Sequence, residues 1–230
     1  MENAIPLETW FFEVPPVTRY WTTAAVITSI LVQCEALSPY QLFFSFRTVM
    51  EKHQYWRFIT TFIYFGPLSL DFVFHIFFMS RYSRMLEDTF FRNRTFEFLW
   101  LLLYSSTCLL LLSPLVSLPF LGSPLSFSLV YIWARRNPSV RLSFLGLFVF
   151  AAPYLPWVLF FFSLILNGSL PKGDLLGIGV GHVYFFLEDI FPGLYGFRPL
   201  APPWKWQIWQ RAAPVIVREP QIEQDHDHNE

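Results

Sequence analysis

Charge is scarce in this 230-residue chain: only 14% of its residues are Asp, Glu, Lys or Arg, against about a quarter in a soluble domain. Cysteine is nearly absent, and the two present, Cys34 and Cys108, sit inside apolar runs and read as buried packing residues. A disulfide scaffold is thereby excluded. A net charge of −1 supplies no basic face with which to neutralise phosphates, so a nucleic-acid partner is excluded too. The first thirteen residues contain Glu2, Glu8 and Glu13 and no Lys or Arg, the wrong sign for a cleavable signal or transit peptide. No internal repeat is visible. What remains is apolar: 54% hydrophobic, 20% aromatic, 28 Phe and a mean hydropathy of +0.40. That excludes a disordered chain or a coiled coil and leaves a polytopic membrane protein.

The longest uncharged stretch, Phe98–Ala134, holds 37 residues. As one helix it would reach about 55 Å, against a hydrocarbon core of about 30 Å. It therefore reads as two spans, broken where Pro114, Pro119, Gly122 and Pro124 cluster within Ser113–Pro124. Leu142–Pro171, 30 residues without charge, reads as one span kinked at Pro153 and Pro156. Tyr20–Leu37 supplies a first span. Two weaker ones cover about Ser69–Ser83, with Asp71 and His75 inside, and about Leu175–Ile190, with His182 inside. Their apolar cores are short, which predicts local bilayer thinning or burial within the bundle. The fold expected is all-α, a bundle of six transmembrane helices.

Ser38–Leu68 fits no span. Phe43, Phe44, Phe46, Tyr55, Trp56, Phe58 and Phe62 alternate there with Arg47, Glu51, Lys52, His53 and Arg57, a pattern for amphipathic helices lying in the interface. With the N-terminus cytosolic, twelve Lys and Arg (Arg19, Arg81, Arg84, Arg92, Arg94, Arg135, Arg136, Arg141, Arg198, Lys205, Arg211 and Arg218) fall on that side and four (Arg47, Lys52, Arg57 and Lys172) on the other. Both termini are then cytosolic, and the sequon at Asn93 faces the cytosol while that at Asn167 lies opposite, close to the bilayer. Residues 1–13 form an N-terminal cytosolic segment, 14–191 the membrane domain, and 192–230 a Pro-rich, largely disordered cytosolic tail. In that tail Trp204, Trp206 and Trp209 suit the headgroup region, and Asp225-His226-Asp227-His228 reads as a solvated polar end rather than a metal site.

Catalytic patterns are missing. None of the ten Gly residues is followed two positions later by Ser, so no Gly-x-Ser-Gly turn presents a nucleophile; Gly122-Ser123 and Gly168-Ser169 come nearest, in breaker loops. His75 and His182 have no visible Ser partner. No HExxH and no Cys/His pair at ligand spacing occurs. Asp71, His75 and His182 are costly at membrane depth and are expected to line a polar cavity inside the bundle. Gly177 and Gly181 form a Gly-x-x-x-Gly suited to close helix packing.

Several runs, in this order, resemble one family: Val14-Pro15-Pro16-Val17-Thr18-Arg19, Tyr55-Trp56-Arg57-Phe58-Ile59-Thr60, Phe65-Gly66-Pro67, Arg81-Tyr82-Ser83-Arg84-Met85-Leu86-Glu87, Trp133-Ala134-Arg135-Arg136-Asn137-Pro138 and Gly181-His182-Val183-Tyr184-Phe185-Phe186-Leu187-Glu188-Asp189. Over residues 14–191 the chain resembles the Derlins, rhomboid-related pseudoproteases of the endoplasmic reticulum. Trp56-Arg57 resembles the superfamily's first-loop WR motif, and Gly177 and Gly181 its last-helix GxxxG. By the resemblance, the position of the protease histidine holds Asp174, the nucleophile turn falls near Phe120–Ser123, and the oxyanion-side positions fall at Asp71 and His75. Each protease position is altered.

The resemblance implies a rhomboid-like fold without catalytic activity or cofactor. It implies a role in endoplasmic-reticulum-associated degradation, moving misfolded proteins to the cytosol beside a membrane RING ubiquitin ligase, its scaffold and a AAA ATPase of the valosin-containing type. An SHP box for direct ATPase docking is missing, since Gly193, Gly196 and Arg198 do not make that pattern, so indirect recruitment is expected. Two alternatives stay open: a homo-oligomeric channel acting alone, and an active intramembrane protease.

Overall fold

The computed structural model describes residues 11–202 apart from Leu145 and Leu147. The Trp204–Trp209 and Asp225–His228 segments therefore lie outside the described residues, as do the first ten. The described chain is mostly helical: α1 (Pro16–Gln33), three short helices α2 (Pro39–Leu42), α3 (Phe46–Lys52) and α4 (Arg57–Thr60), then α5 (Leu70–Thr89), α6 (Thr95–Val116), α7 (Gly122–Arg136), α8 (Leu155–Asn167), α9 (Lys172–Phe185) and α10 (Phe191–Tyr195). Two helical segments are long and apolar enough to cross a bilayer, Thr95–Val116 and Lys172–Tyr195, the second comprising α9, a π-turn (Phe186–Ile190) and α10.

Local chemistry sets the helix ends. Pro16 opens α1 at the first helical position, where a missing N–H costs nothing. Ser69 caps α5, its hydroxyl accepting from the Phe72 amide at 3.2 Å. Pro114 stands inside α6 without ending it. The ring removes a donor to the Leu110 carbonyl, and Ser113 Oγ supplies one at 3.0 Å. The helix ends two residues later, at Val116, and Ser117 follows in the left-handed conformation. Gly168 does the same for α8 with φ 61°.

Helix α7 is the axis of the bundle. Twelve of its 15 residues are buried, and α5, α6, α8 and α9 pack around it. A helix enclosed on all sides carries small residues wherever a neighbour must come close. Here the small residues belong to α9: a Cβ at Gly177 would land on the Pro124 carbonyl and lie 2.8 Å from Phe127 Cβ, and one at Gly181 would lie 2.8 Å from the Ser128 carbonyl oxygen. Gly179, between them, faces open space.

A buried carboxylate ties α1 to α5. Glu87 is 3% exposed, and its oxygens accept from the Val17 amide (3.1 Å), the Thr18 amide (3.0 Å) and Thr18 Oγ1 (2.9 Å). It satisfies the open amides at the start of α1 and places a negative charge at that helix's positive end.

The structure corrects several expectations. Leu142–Pro171 is not one kinked span. Arg141–Phe144 and Phe148–Ala151 form an antiparallel hairpin, so the fold is not wholly α, and only Leu155–Asn167 is an α-helix. The aromatic and β-branched run Phe148-Val149-Phe150, with Gly146 at φ 74°, favours a strand and a tight turn over a helix. The segments expected to be short are long: α5 has 20 residues and Lys172–Tyr195 has 24. The short helices are α7, with 15 residues, and α8, with 13, about 22 and 20 Å against a core of about 30 Å. Helical structure also passes the 191 boundary, to Tyr195, and the Leu200 carbonyl accepts from Trp100 Nε1 at 2.9 Å. Cys34 is exposed and Cys108 half-buried, both free. An apolar neighbourhood in a bundle of this kind does not mean an inward one.

The packing predicts that Gly177→Val lowers thermal stability in detergent by about 1–3 kcal/mol through overpacking. Gly179→Ala should leave it unchanged, and differential scanning fluorimetry separates the two.

Candidate functional site

Four of the bundle's polar side chains converge at one level. Asp71 and His75 project from successive turns of α5, Ser123 from the first turn of α7, and Asp174 from the first turn of α9. Ser123 Oγ lies 2.8 Å from Asp174 Oδ1 and 3.2 Å from His75 Nδ1. His75 Nε2 lies 3.4 Å from Asp71 Oδ2, and Asn167 Nδ2 of α8 lies 3.4 Å from Asp71 Oδ1. Asp174 is 4% exposed and His75 9%; Phe127 of α7 flanks the imidazole, ring centroids 6.0 Å apart.

The glycine contact on α7 makes the site. Gly177 stands three residues after Asp174, on the same face of α9. Its approach to Pro124 brings the carboxylate against Ser123, the residue before that proline. The first loop buttresses the same place. The Leu121 amide donates to the Thr61 carbonyl (2.9 Å) and the Phe44 amide to the Pro119 carbonyl (3.1 Å); Tyr64 and Phe120 meet edge to face with centroids 4.7 Å apart.

Proton bookkeeping shows which way the cluster runs. The Ser123 hydroxyl has one proton, and it is donated to Asp174 Oδ1. His75 must then donate Nδ1–H to Ser123 Oγ. A nucleophile–base pair needs the reverse, with the hydroxyl donating to the imidazole. Among the described residues no three His, Cys, Asp or Glu side chains lie close enough together to hold a metal ion.

On one side the cluster meets a narrow cleft between α5 and α8, walled by Phe74, Phe78, Leu159, Phe162, Ser163 and Leu166. Phe74 and Phe162 close it edge to face, centroids 4.8 Å apart. The cavity within is about 20 Å³, room for about one water.

Sequence reasoning placed Asp71 and His75 together, and they are. It placed His182 with them, and His182 is elsewhere: exposed, two helical turns beyond Asp174 and rotated off its face, with Nδ1 2.6 Å from Tyr131 Oη. It left His75 without a serine and read Ser123 as part of a loop. Ser123 instead opens a helix and pairs with His75. The available signal was Gly122-Ser123-Pro124, a proline just inside a helix start. Trp56 is 54% exposed, whereas its neighbour Arg57 is 7% exposed, with Nε donating to Gln54 Oε1 at 2.6 Å and Nη1 to the Phe43 carbonyl.

A carboxylate–imidazole–hydroxyl cluster lies among helices whose outer faces expose Leu103, Leu111, Phe161 and Ile165, and two helical segments are long and apolar enough to cross a membrane, features suited to a membrane protein. The chain belongs to the Der1-like family, whose model matches residues 14–204. It is 44% identical over 208 residues to Derlin-2.1 of Zea mays, covering 86% of this chain and 83% of that protein. To Derlin-2.2 of Arabidopsis thaliana it is 40% identical over 226 residues, 94% and 92% of the two chains. The probable derlin-2 homolog of Dictyostelium discoideum is 37% identical over 207 residues, 87% and 81%.

Ser123→Ala leaves a buried imidazole N–H and a buried carboxylate oxygen each short of a partner. It should cost about 1–3 kcal/mol, read as a fall in the detergent unfolding midpoint. The double variant Ser123→Ala/Asp174→Leu, which removes the orphaned carboxylate as well, should lose less than the sum of the two single changes.

Proposed function

We propose that this protein is a non-catalytic, rhomboid-like component of endoplasmic-reticulum-associated degradation that helps misfolded proteins pass from lumen or membrane to the cytosol. In this reading α1, α5, α6, α7, α8 and α9 span the endoplasmic reticulum membrane, with both termini cytosolic. The excess of basic residues at one end supports that orientation. At that end Arg136 pairs with Asp189 at 2.9 Å and packs over the Phe90 and Phe91 rings.

The observation that carries the reading is the cleft between α5 and α8 that leads from the bundle surface to Asp71 and His75. A charged group at mid-bilayer costs at least about 2.5–3.5 kcal/mol on insertion scales. Fixed partners within the first two turns of α5, α7 and α9, in a bundle whose α7 and α8 are too short for an undisturbed bilayer, lower the cost for a polar segment entering at that end. Opening needs Phe74 and Phe162 to part and the 3.4 Å hydrogen bond from Asn167 to Asp71 to yield. The partners that follow are the misfolded substrates, a membrane RING ubiquitin ligase with its scaffold, and a AAA ATPase recruited indirectly. The surrounding lipid bilayer completes the path, and a homo-oligomer acting as its own channel is the alternative assembly.

The contact of Ser123 with His75 raises a second reading, an active intramembrane protease. The hydroxyl's bond to Asp174 opposes it, because the proton is directed away from the base. A serine-reactive fluorophosphonate should therefore leave Ser123 unlabelled in the purified protein, and labelling lost in Ser123→Ala would establish the protease.

For the main reading, Asp71→Leu/His75→Leu should lengthen the half-life of a misfolded luminal reporter at least about threefold in a cycloheximide chase, the scale of one to two lost polar contacts. Unchanged decay with normal levels of the variant rejects the polar path.

A further inference from the structure

Arg57 is a charge without a counter-charge. The residue is 93% buried, and its partners are neutral: Gln54 Oε1 for Nε and the Phe43 carbonyl for Nη1. Among the described residues no carboxylate lies within ion-pair distance of the guanidinium, and Glu51, six residues earlier in the chain, pairs with Arg47 at 3.1 Å. A buried cation with only dipoles around it is costly unless an anion completes it. The guanidinium keeps N–H groups beyond the two used, in a planar fork suited to phosphate.

Arg57 is one of the residues lining a mostly apolar pocket of about 520 Å³ between the end of α1 and the first-loop helices, within the size range of small-ligand sites. Its walls divide by character. Arg57, Gln41, Gln54 and Thr60 contribute a small polar part, while Leu37, Leu42 and Ile63 belong to the larger apolar part. An anion joined to hydrocarbon satisfies both, whereas a free inorganic anion satisfies only the first. Around it Tyr40, Tyr55 and Trp56 are exposed at 83, 56 and 54%, the amphipathic rings that occupy the headgroup region of a bilayer.

We propose that this pocket binds the phosphate group of a membrane phospholipid, with Arg57 as the anchor and the start of the lipid's apolar body against Leu37, Leu42 and Ile63. The first loop is thus fastened to the bilayer at a specific lipid site as well as by its aromatic surface. Assigning that lipid to the luminal leaflet rests on the orientation proposed above; the charge argument does not, and a binding measurement in detergent tests it separately.

Gln54→Glu is the informative variant. It keeps the side chain already bonded to Arg57 Nε and adds the missing negative charge, so it occupies electrostatically the place of the phosphate. The full-length protein, delipidated in a maltoside detergent, is titrated with a phosphatidylcholine and followed by native mass spectrometry. Wild type should bind one phosphatidylcholine saturably at this site, and Arg57→Gln and Gln54→Glu should each weaken that binding at least about tenfold, the worth of a charge-assisted bond. Gln54→Glu should at the same time raise the unfolding midpoint of the lipid-free protein, which also controls for misfolding of Arg57→Gln. Phosphatidylcholine binding by Gln54→Glu as tight as by wild type overturns the proposal. So does protection of the wild-type unfolding midpoint by millimolar inorganic phosphate equal to that given by a short-chain phosphatidylcholine, which would make the ligand a free anion.

Discussion

The approach of α9 to α7 is the constraint from which the rest of the site follows. Two glycines on one face of α9 let its backbone reach the Pro124 and Ser128 carbonyls of the enclosed helix. That distance carries Asp174 to Ser123, and through it to His75 and Asp71 on α5. Lipid gives no hydrophobic drive to bring helices together, so packing and polar contacts between helices must do so. In this molecule the two are stacked on one another, a small-residue seam with a hydrogen-bonded cluster one turn above it.

Each end of the bundle is fastened by a different device. At one end Glu87 satisfies the first amides of α1, and Arg136, between the Phe90 and Phe91 rings and Asp189, holds the π-turn that continues α9. At the other, the first loop pairs its backbone with residues 119–121, just ahead of Ser123. Among the described residues the side facing α5 and α8 is fastened more lightly. It is closed by Phe74 on Phe162 and by one long hydrogen bond, Asn167 Nδ2 to Asp71 Oδ1 at 3.4 Å. This chain therefore combines a hydrogen-bonded polar core with one lightly fastened wall.

Much of this was legible in the sequence, for reasons that can be named. Uncharged length and prolines located the helices of 98–134, because a bilayer fixes how long one helix can be. The glycine pair announced a close contact, and Asp71 and His75, four residues apart on one helix, announced a polar face. Periodicity could not foresee the hairpin over 141–151, since an apolar run long enough to span hides a turn at Gly146. Nor could it pair Ser123 with His75, 48 residues apart; only the tertiary register of α7 against α5 makes that contact. The expectation for His182 failed because polarity on a helix was read without its rotation: two turns along, it faces Tyr131 and the outside. Cys34 and Cys108 failed for the same physical reason, since the solvent beside an apolar helix here is itself apolar.

The central claim is that a polar segment passes along the cleft between α5 and α8. A photo-crosslinking amino acid placed at Phe74 or Phe162, on the cleft, and at Leu103, on the outer face of α6, tests it in cells degrading a misfolded glycoprotein. Adducts to the substrate from the two cleft positions and none from Leu103 are the result this structure predicts. Equal yields from all three positions, or adducts from Leu103 alone, would contradict it.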